Sequence, residues 1–193
     1  MALSPRTVTV YGRLSYAHLN EPHAPNDQAE PKYSATLLVE KTDTDAIKAI
    51  NAAIKAAVDE GVTRRTFTQA IDPTHTKYPP LRDGDQPNDS GEPRGEEFAG
   101  HWFIAAKNKK QPMVVNAQRQ PVIDPDDVYS GCYVNMAVEF YAYSNSGNKG
   151  ISASLIGVQK VKDGDRLGGE PPKAEDVFGV VGGQTPTDTG LGF

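Results

Sequence analysis

The sequence has few of the residues that build disulfides, metal centres or membrane anchors. Its 193 residues include one cysteine, Cys132, so the chain can form neither an internal disulfide nor a zinc site with several thiolates, and we expect a buried structural thiol. No apolar run approaches the length of a membrane span, and the N-terminus lacks the basic start and apolar core of a signal peptide. These absences predict a cytoplasmic protein with no membrane partner.

An excess of positive charge is also lacking. The net charge of -5 at first argues against nucleic-acid binding, because phosphate contacts need lysine and arginine. The acidity is concentrated at one end, since residues 163–193 hold six acidic and two basic residues, whereas residues 1–162 hold 19 acidic and 18 basic residues. The body of the protein is therefore close to neutral and can still carry a basic stripe.

Signatures of catalysis are missing as well. The four histidines are scattered, and the chain contains no His-x-x-x-His spacing, no Gly-x-Ser-x-Gly sequence and no Walker loop. The Asp-Gly-Asp sequences at 83–85 and 163–165 lack the further oxygen ligands of a calcium loop and are typical of turns. We therefore predict a protein that is not an enzyme and uses no metal or cofactor.

What the chain does contain is a succession of strand patterns. Residues 7–16 and Lys32–Glu40 alternate between polar and apolar, as a half-buried strand does, and the proline-rich residues 20–31 predict a loop between them. Shorter strands are predicted at 100–107 and Met113–Val115. The last two predicted strands, 129–143 and 151–162, flank a turn rich in Asn and Gly.

One segment has the period of a helix instead. Between residues 43 and 60 a single helical face carries Ile47, Ile50, Ile54, Ala57 and Val58. Thr42 or Asp43 can cap its start, and Gly61 is expected to end it in a left-handed conformation.

These elements predict a mainly β domain over residues 1–165. The order of strands, one helix between them and a terminal hairpin fits an OB-fold-like Greek-key barrel. Residues 72–97, with five prolines and many acidic residues, form a long inserted loop that is either disordered or functional. Residues 166–193 are predicted to be a flexible acidic tail.

The strand at 129–143 carries the most distinctive surface. Its even positions from Cys132 to Ala142 are all apolar and predict the core face, whereas its odd positions include Tyr133, Tyr141 and Tyr143. Exposed aromatic rings are platforms on which bases stack. Tyrosines also stabilise sheets by pairing across strands, so from the strand alone both interpretations stay open.

Basic residues beside aromatic ones extend this surface, because a groove that holds single-stranded nucleic acid needs cations for phosphates and rings for bases. The candidate nucleic-acid-binding residues are Arg13, Lys77, Tyr78, Arg82, Phe103, Lys107, Lys109, Lys110, Tyr133, Tyr141, Tyr143 and Lys149. Glu139 lies among the tyrosines and would repel phosphate, so we expect bases at Tyr133 and Tyr141 and the backbone towards Lys107, Lys109 and Lys149.

The C-terminal residues combine acidic groups with aromatic anchors. Glu175, Asp176, Phe178 and Phe193 are candidates for docking into a basic, apolar pocket of a partner or into the protein's own groove. An ordinary disordered tail is the alternative. A homo-oligomer is also left open.

Several stretches resemble a known family. Residues 31–41, 80–85, 98–112 and 129–169 are similar to those of a tailed-phage family, long catalogued as of unknown function, whose members include a single-stranded DNA-binding protein. The resemblance covers most of the chain. It implies an OB-fold with a long inserted loop, sequence-independent binding of single-stranded DNA in phage replication or recombination, and an intracellular site of action in the infected bacterium. A virion structural or assembly protein is the alternative function.

Overall fold

The computed structural model describes residues 2–168. In chain order its elements are β1 (Thr7–His23), β2 (Lys32–Glu40), α1 (Thr44–Thr63), β3 (Arg82–Asp83), β4 (His101–Asn108), β5 (Met113–Val115), β6 (Tyr133–Asn145) and β7 (Asn148–Lys162). The predicted flexible tail, with Glu175, Asp176, Phe178 and Phe193, lies almost entirely outside the described residues.

Five of these strands close a barrel. β1 pairs antiparallel with β2 and β6, β2 pairs with β4, and β6 pairs with β7. A short parallel pairing, Ala106 with Ala153 and Lys107 with Ser154, joins β4 to β7 and completes the ring. The prediction of a mainly β, OB-fold-like barrel with one helix is confirmed.

The two shortest strands extend this closure. β4 and β7 are paired over only two residue positions, and the free edge of β4 beyond them is covered by β3, where Arg82 pairs with Phe103. The free edge of β7 is covered in the same way by β5. The backbone groups at both edges are thereby hydrogen-bonded. An uncovered edge would be open to pairing with another chain.

β1 is longer than its alternation indicated. It runs to His23 and pairs there with Lys32, so the predicted loop at 20–31 begins too early and the connection to β2 comprises residues 24–31. The reason is a break in register between Ser15 and His18, a bulge that shifts the side-chain period and hides the continuing strand. β1 and β2 consequently form a long two-stranded arm.

The core face of β6 is confirmed. Val134, Met136, Val138 and Phe140 are fully buried, and Cys132 is a buried free thiol whose pKa is raised by that burial. The strand begins at Tyr133, later than predicted, because Gly131 takes a φ of 116° that interrupts the extended backbone.

The helix α1 packs mainly on β6 through the predicted face, with Ile50, Ile54, Ala57 and Val58 buried. Asp43 caps its first turn by accepting a hydrogen bond from the Ala46 N–H. We expected Gly61 to end the helix, but the helix continues through it to Thr63. A Cβ at this position would meet Ala142 and Phe67 at 2.7 Å. The requirement at this position is close packing.

Residues 72–97 fold against the barrel. They contain β3 and a one-turn 3-10 helix at Pro73–His75, and a second such turn follows at Glu96–Phe98. The Lys41 ammonium group holds the segment in place, 2.5 Å from the Asp83 carboxylate and 2.6 Å from that of Asp85. The long insertion therefore has a defined structure.

Candidate nucleic-acid interface

An open cleft of about 980 Å³ lies where the arm, β2, β4 and the β6–β7 hairpin meet. The inserted segment contributes Tyr78, Pro79, Pro80 and Arg82 to its wall. The connection between β1 and β2 contributes Pro25, Ala29 and Glu30, and the tip of the β6–β7 hairpin contributes Asn145, Ser146 and Asn148. Several separate parts of the sequence thus converge on one surface.

β2 supplies the polar floor of the cleft. Lys32, Ser34 and Thr36 line it, while the alternate residues of the strand point into the core. The register with β4 places Ser34 opposite Lys107, so their side chains emerge side by side on the same face.

β6 supplies two aromatic rings. Tyr141 is 39% exposed and lines the cleft together with Tyr143. Tyr143 pairs across the hairpin with Gly150, where a Cβ would come within 2.6 Å of the tyrosine hydroxyl oxygen. The glycine therefore leaves the space that the Tyr143 ring occupies.

Tyr78 supplies a third ring, and cations surround it. The Arg82 guanidinium is 5.9 Å from the Tyr78 ring centroid, and the Lys77 ammonium is 5.3 Å from it. Arg82 is also held by a hydrogen bond from its Nε to the Pro79 carbonyl at 3.1 Å. This wall of the cleft is both aromatic and positively charged.

Two histidines of the arm also line the cleft. The rings of His18 and His23 stack with centroids 4.3 Å apart and an interplanar angle of 10°. Partial burial, and then the charge of His23, lower the pKa of His18. An anion that approaches His18 favours the protonated form of its ring.

Glu30 is the acidic residue on the rim of the cleft. Its carboxylate lies 2.9 Å from the Lys109 ammonium, and the hydrogen bond from Lys109 lowers the pKa of Glu30. Each charge of this pair offsets the other, so Lys109 adds little net positive charge to the rim.

Tyr133 and Arg13 lie elsewhere. Tyr133 stacks on Tyr11 with centroids 6.1 Å apart, and Lys162 lies 4.7 Å from its ring centroid. Arg13 donates hydrogen bonds to the Gly131 and Asp165 carbonyls at 3.1 and 2.7 Å. The two residues belong to a second aromatic and basic patch at the opposite end of β6, and Arg13 also fastens the chain that leaves β7.

Glu139, midway between the two ends, is neutralised. Its carboxylate lies 2.9 Å from the Arg6 guanidinium and accepts a hydrogen bond from the Thr7 hydroxyl at 3.1 Å. The repulsion of phosphate that we expected from Glu139 is therefore reduced by a local partner.

The structure brings together part of the predicted set. Tyr78, Arg82, Lys107, Tyr141 and Tyr143 line the cleft, and Lys77 stands beside it. Lys110 is exposed in the turn that follows β4, and Lys149 is exposed near the start of β7, where it pairs with Ser144. Phe103 is only 4% exposed, because its ring packs edge-on against Phe98 and lies under the Arg94 guanidinium.

Sequence reasoning missed the contribution of the arm and of β2. The alternation at Lys32, Ser34 and Thr36 contained a usable signal, because polar residues that alternate with apolar ones lie on the exposed face of a half-buried strand. Nothing in the sequence indicated that Tyr16, His18 and His23 would face the same cleft.

The described residues contain neither a cluster of His, Cys, Asp and Glu side chains suited to hold a metal ion nor a helix long and apolar enough to cross a membrane. The chemistry that the cleft offers consists of ring faces, hydroxyl groups and cations.

A closed five-stranded barrel with a cleft on its second and third strands defines the class of OB-fold proteins, which bind oligonucleotides or oligosaccharides at this face and at the loops between strands 1 and 2 and between strands 4 and 5. β2 and β4 are the second and third barrel strands here, and the arm connection and the β6–β7 turn are those two loops.

The chain belongs to the family described as Enterobacter phage Enc34, ssDNA-binding protein, whose model matches residues 6–189. This confirms the resemblance seen in the sequence. A curated relative, "Putative protein p50" of Acyrthosiphon pisum secondary endosymbiont phage 1, is 38% identical over 160 residues, which cover 81% of this chain and 83% of the relative.

Solved structures agree with the family. The single-stranded DNA-binding protein from bacteriophage Enc34 in complex with ssDNA is similar with a TM-score of 0.69 and 28% identity, over 87% of this chain and 96% of that one. The single-stranded DNA-binding protein gp2.5 of bacteriophage T7 is similar with a TM-score of 0.53 and 15% identity, over 89% of this chain and 99% of that one. The second likeness concerns the fold alone.

Proposed function

We propose that this protein binds single-stranded DNA, without dependence on sequence, in the cleft between the arm, β2, β4 and the β6–β7 hairpin. The observation that carries the proposal is the convergence of three exposed or half-buried tyrosines, Tyr78, Tyr141 and Tyr143, on a cleft that also holds Arg82 and Lys107. Ring faces accept any base, and cations follow the phosphate backbone. The family of the chain supports the same function.

The path of the strand follows from the positions of these groups. Bases stack on Tyr141 and Tyr143 on one side and on Tyr78 on the other, while phosphates lie near Lys32 and Lys107 on the floor. Tyr133 stands eight residues from Tyr141 along β6, about 26 Å at ~3.3 Å per residue, so it contacts only strands that extend beyond the cleft. Arg13, Lys110 and Lys149 have the same peripheral role.

The protein acts in phage DNA replication or recombination, within the cytoplasm of the infected bacterial host. The proposed role is non-enzymatic, since binding by stacking and charge requires no reacting group. Residues 1–165 form the binding domain, and binding of replication proteins by the C-terminal residues stays a prediction from the sequence.

The test is binding of fluorescently labelled oligo(dT), measured by anisotropy, with Tyr141→Ala and Tyr141→Phe. Since one stacked base contributes about 1–3 kcal/mol, the alanine variant should lose roughly 5-fold to 150-fold in affinity, whereas the phenylalanine variant keeps the ring and should bind nearly as well as the parent. Labelled DNA is preferable to protein fluorescence, because Trp102 lies under the Lys41 ammonium group, away from the cleft.

Two further variants separate binding from folding. Tyr133→Ala should weaken binding of short oligo(dT) far less than Tyr141→Ala does. Phe140→Ala should lower the free energy of unfolding by about 3–5 kcal/mol, because Phe140 is fully buried beside Tyr141. Equal affinity of the parent and Tyr141→Ala would contradict the proposed path, and absence of oligo(dT) binding by the parent would contradict the function.

A further inference from the structure

A smaller cavity of about 330 Å³ adjoins the cleft. Its lining comes from β1, β2, β4 and the inserted segment and consists of Tyr16, Thr36, Asn88, Pro93, Arg94, Gly95, Phe98 and Phe103. Tyr16 and Thr36 also line the cleft, so the two spaces share a wall. A strand bound in the cleft passes directly beside this side cavity.

Tyr16 has an unusual backbone conformation at this wall. Its φ is 46°, in the left-handed region that a bulky residue rarely adopts, and it stands at the register break of β1 between Ser15 and His18. Its side chain is nevertheless 62% exposed, with the ring centroid 6.3 Å from that of Phe98. Strained backbone and an exposed ring together point to a function for Tyr16, since bulges re-aim side chains at binding sites.

The rest of the side cavity combines two phenylalanine rings, packed edge to face, with polar groups at its margin. Phe98 and Phe103 are buried and form the apolar part. The Arg94 guanidinium lies 4.7 Å from the Phe103 ring centroid and donates from its Nε to the Gln86 carbonyl at 3.1 Å, which fixes its position.

Asn88 and Thr36 can form hydrogen bonds at the margin. The Asn88 Oδ1 accepts from the backbone N–H groups of Ser90 and Glu92, both at 3.0 Å, so its Nδ2 group is the donor that it can offer to a ligand. The Thr36 hydroxyl can donate or accept.

We propose that the side cavity is a subsite for one nucleobase of the bound strand, unstacked from its neighbours and placed against the Tyr16 ring. This inference rests on the proposed function. A nucleobase fits the chemistry because it has an aromatic face for Tyr16 and the Arg94 guanidinium plane, and a polar edge for Thr36 and Asn88. The buried Phe98 and Phe103 rings favour a ring face over a phosphate group, which has no apolar face to place against them.

The first test is the affinity of Tyr16→Asn and Tyr16→Phe for oligo(dT) of about 10 nucleotides, within the ~4–16 that one OB-fold holds. Asparagine accepts the left-handed backbone more readily than tyrosine, so Tyr16→Asn should keep or raise the Tm while it loses about tenfold in affinity. Tyr16→Phe keeps the ring and should bind within about twofold of the parent.

The second test places the base directly. Oligo(dT) with 5-iodouracil in place of thymine is bound to the full-length protein and irradiated, and the cross-linked peptides are identified by mass spectrometry. We expect a cross-link at Phe98, which lines only the side cavity, in addition to those at the tyrosines that line the cleft, and loss of the Phe98 cross-link in Tyr16→Asn.

The outcomes distinguish the two proposals. If the parent fails to bind oligo(dT), the proposed function is wrong. If the parent binds and Tyr141→Ala weakens binding, but Tyr16→Asn binds as the parent does or cross-links form only at the tyrosines that line the cleft, the side cavity holds no base and this inference alone is overturned.

Discussion

The tyrosines of β6 share one face of the strand but differ in environment. Tyr133 is enclosed by Tyr11, Arg13 and Lys162, whereas Tyr141 stands open at the cleft. The alternation of β6 specifies only that all of them point away from the core. Neighbours from other strands decide which ring can accept a base. The alternation of residue types along β6 was therefore sufficient to predict which side chains point away from the core, but not which of them line the cleft.

His18 links the cleft to pH. Its pKa is lowered in the folded protein, first by burial and then by His23, so the unfolded chain binds a proton more readily. The free energy of unfolding should therefore decrease as the pH falls from about 6.5, the ordinary histidine value, through the lowered value. A bound phosphate favours the protonated ring, which gives DNA binding the opposite dependence.

We predict that affinity for oligo(dT) rises as the pH falls through this window and that His18→Gln flattens the rise. The physical reason is proton uptake by His18 when a phosphate approaches the cleft. Anisotropy titrations at several pH values between about 5.5 and 7.5 measure the slope. His75→Gln is the matched control, because His75 pairs with Asp72 away from the cleft. An unchanged slope in His18→Gln would exclude His18 as the group responsible.

Among the elements, the inserted segment is held against the barrel in part by one cation. Lys41 follows β2 and reaches Asp83 and Asp85, which raise the pKa of Lys41, while the Lys41 hydrogen bond and the Gly100 N–H lower that of Asp85. β3 then pairs with β4, and Tyr78 and Arg82 are brought to the cleft. The positions of one aromatic and one basic side chain at the cleft thus depend on the Lys41 contact, which lies outside the cleft.

We predict that Lys41→Met loosens the inserted segment while the barrel stays folded. Methionine retains apolar contact with Trp102 but leaves Asp83 and Asp85 without their cation. Hydrogen exchange measured by mass spectrometry should be faster in residues 78–86 and unchanged in β6. Lys48→Met, on the exposed side of α1, should leave both regions unaffected. Protection of residues 78–86 equal to that of the parent would mean that β3 pairing alone holds the segment.

The elements that sequence reasoning placed well are those with an uninterrupted period. β2, β5 and the buried face of α1 follow their patterns closely, because each buries one regular face. The bulge of β1 and the packing role of Gly61 were missed, because a register break and a close helix contact depend on neighbours distant in sequence. The convergence of the candidate residues on the cleft was unpredictable for the same reason.

At the scale of the whole molecule, the net charge of -5 is compatible with the proposed DNA binding because the cations are concentrated at the cleft. Lys32, Arg82 and Lys107 line the cleft. Glu30 and Glu139, the carboxylates near the proposed path, are each paired with a cation.

We predict a shallow salt dependence. With about three phosphate contacts, the logarithm of the binding constant should fall with the logarithm of salt concentration with a slope of about -2, from ~0.7 per contact for single strands. Lys107→Ala should reduce the slope by ~0.7, and Lys48→Ala should not change it. Titrations of oligo(dT) across a salt series give these values, and a slope of about -5 would contradict this count of contacts.

The pairing of β1 with β6 has a consequence for how the protein is made. Thr7 lies opposite Glu139, so β1 can pair with β6 only after most of the domain has been synthesised. Contacts of such long sequence separation slow folding, and barrels dominated by them fold in milliseconds to seconds. Until synthesis reaches β7, the nascent chain has no closed barrel and hence no assembled cleft. The proposed binding surface is therefore assembled only once nearly the whole domain has been translated.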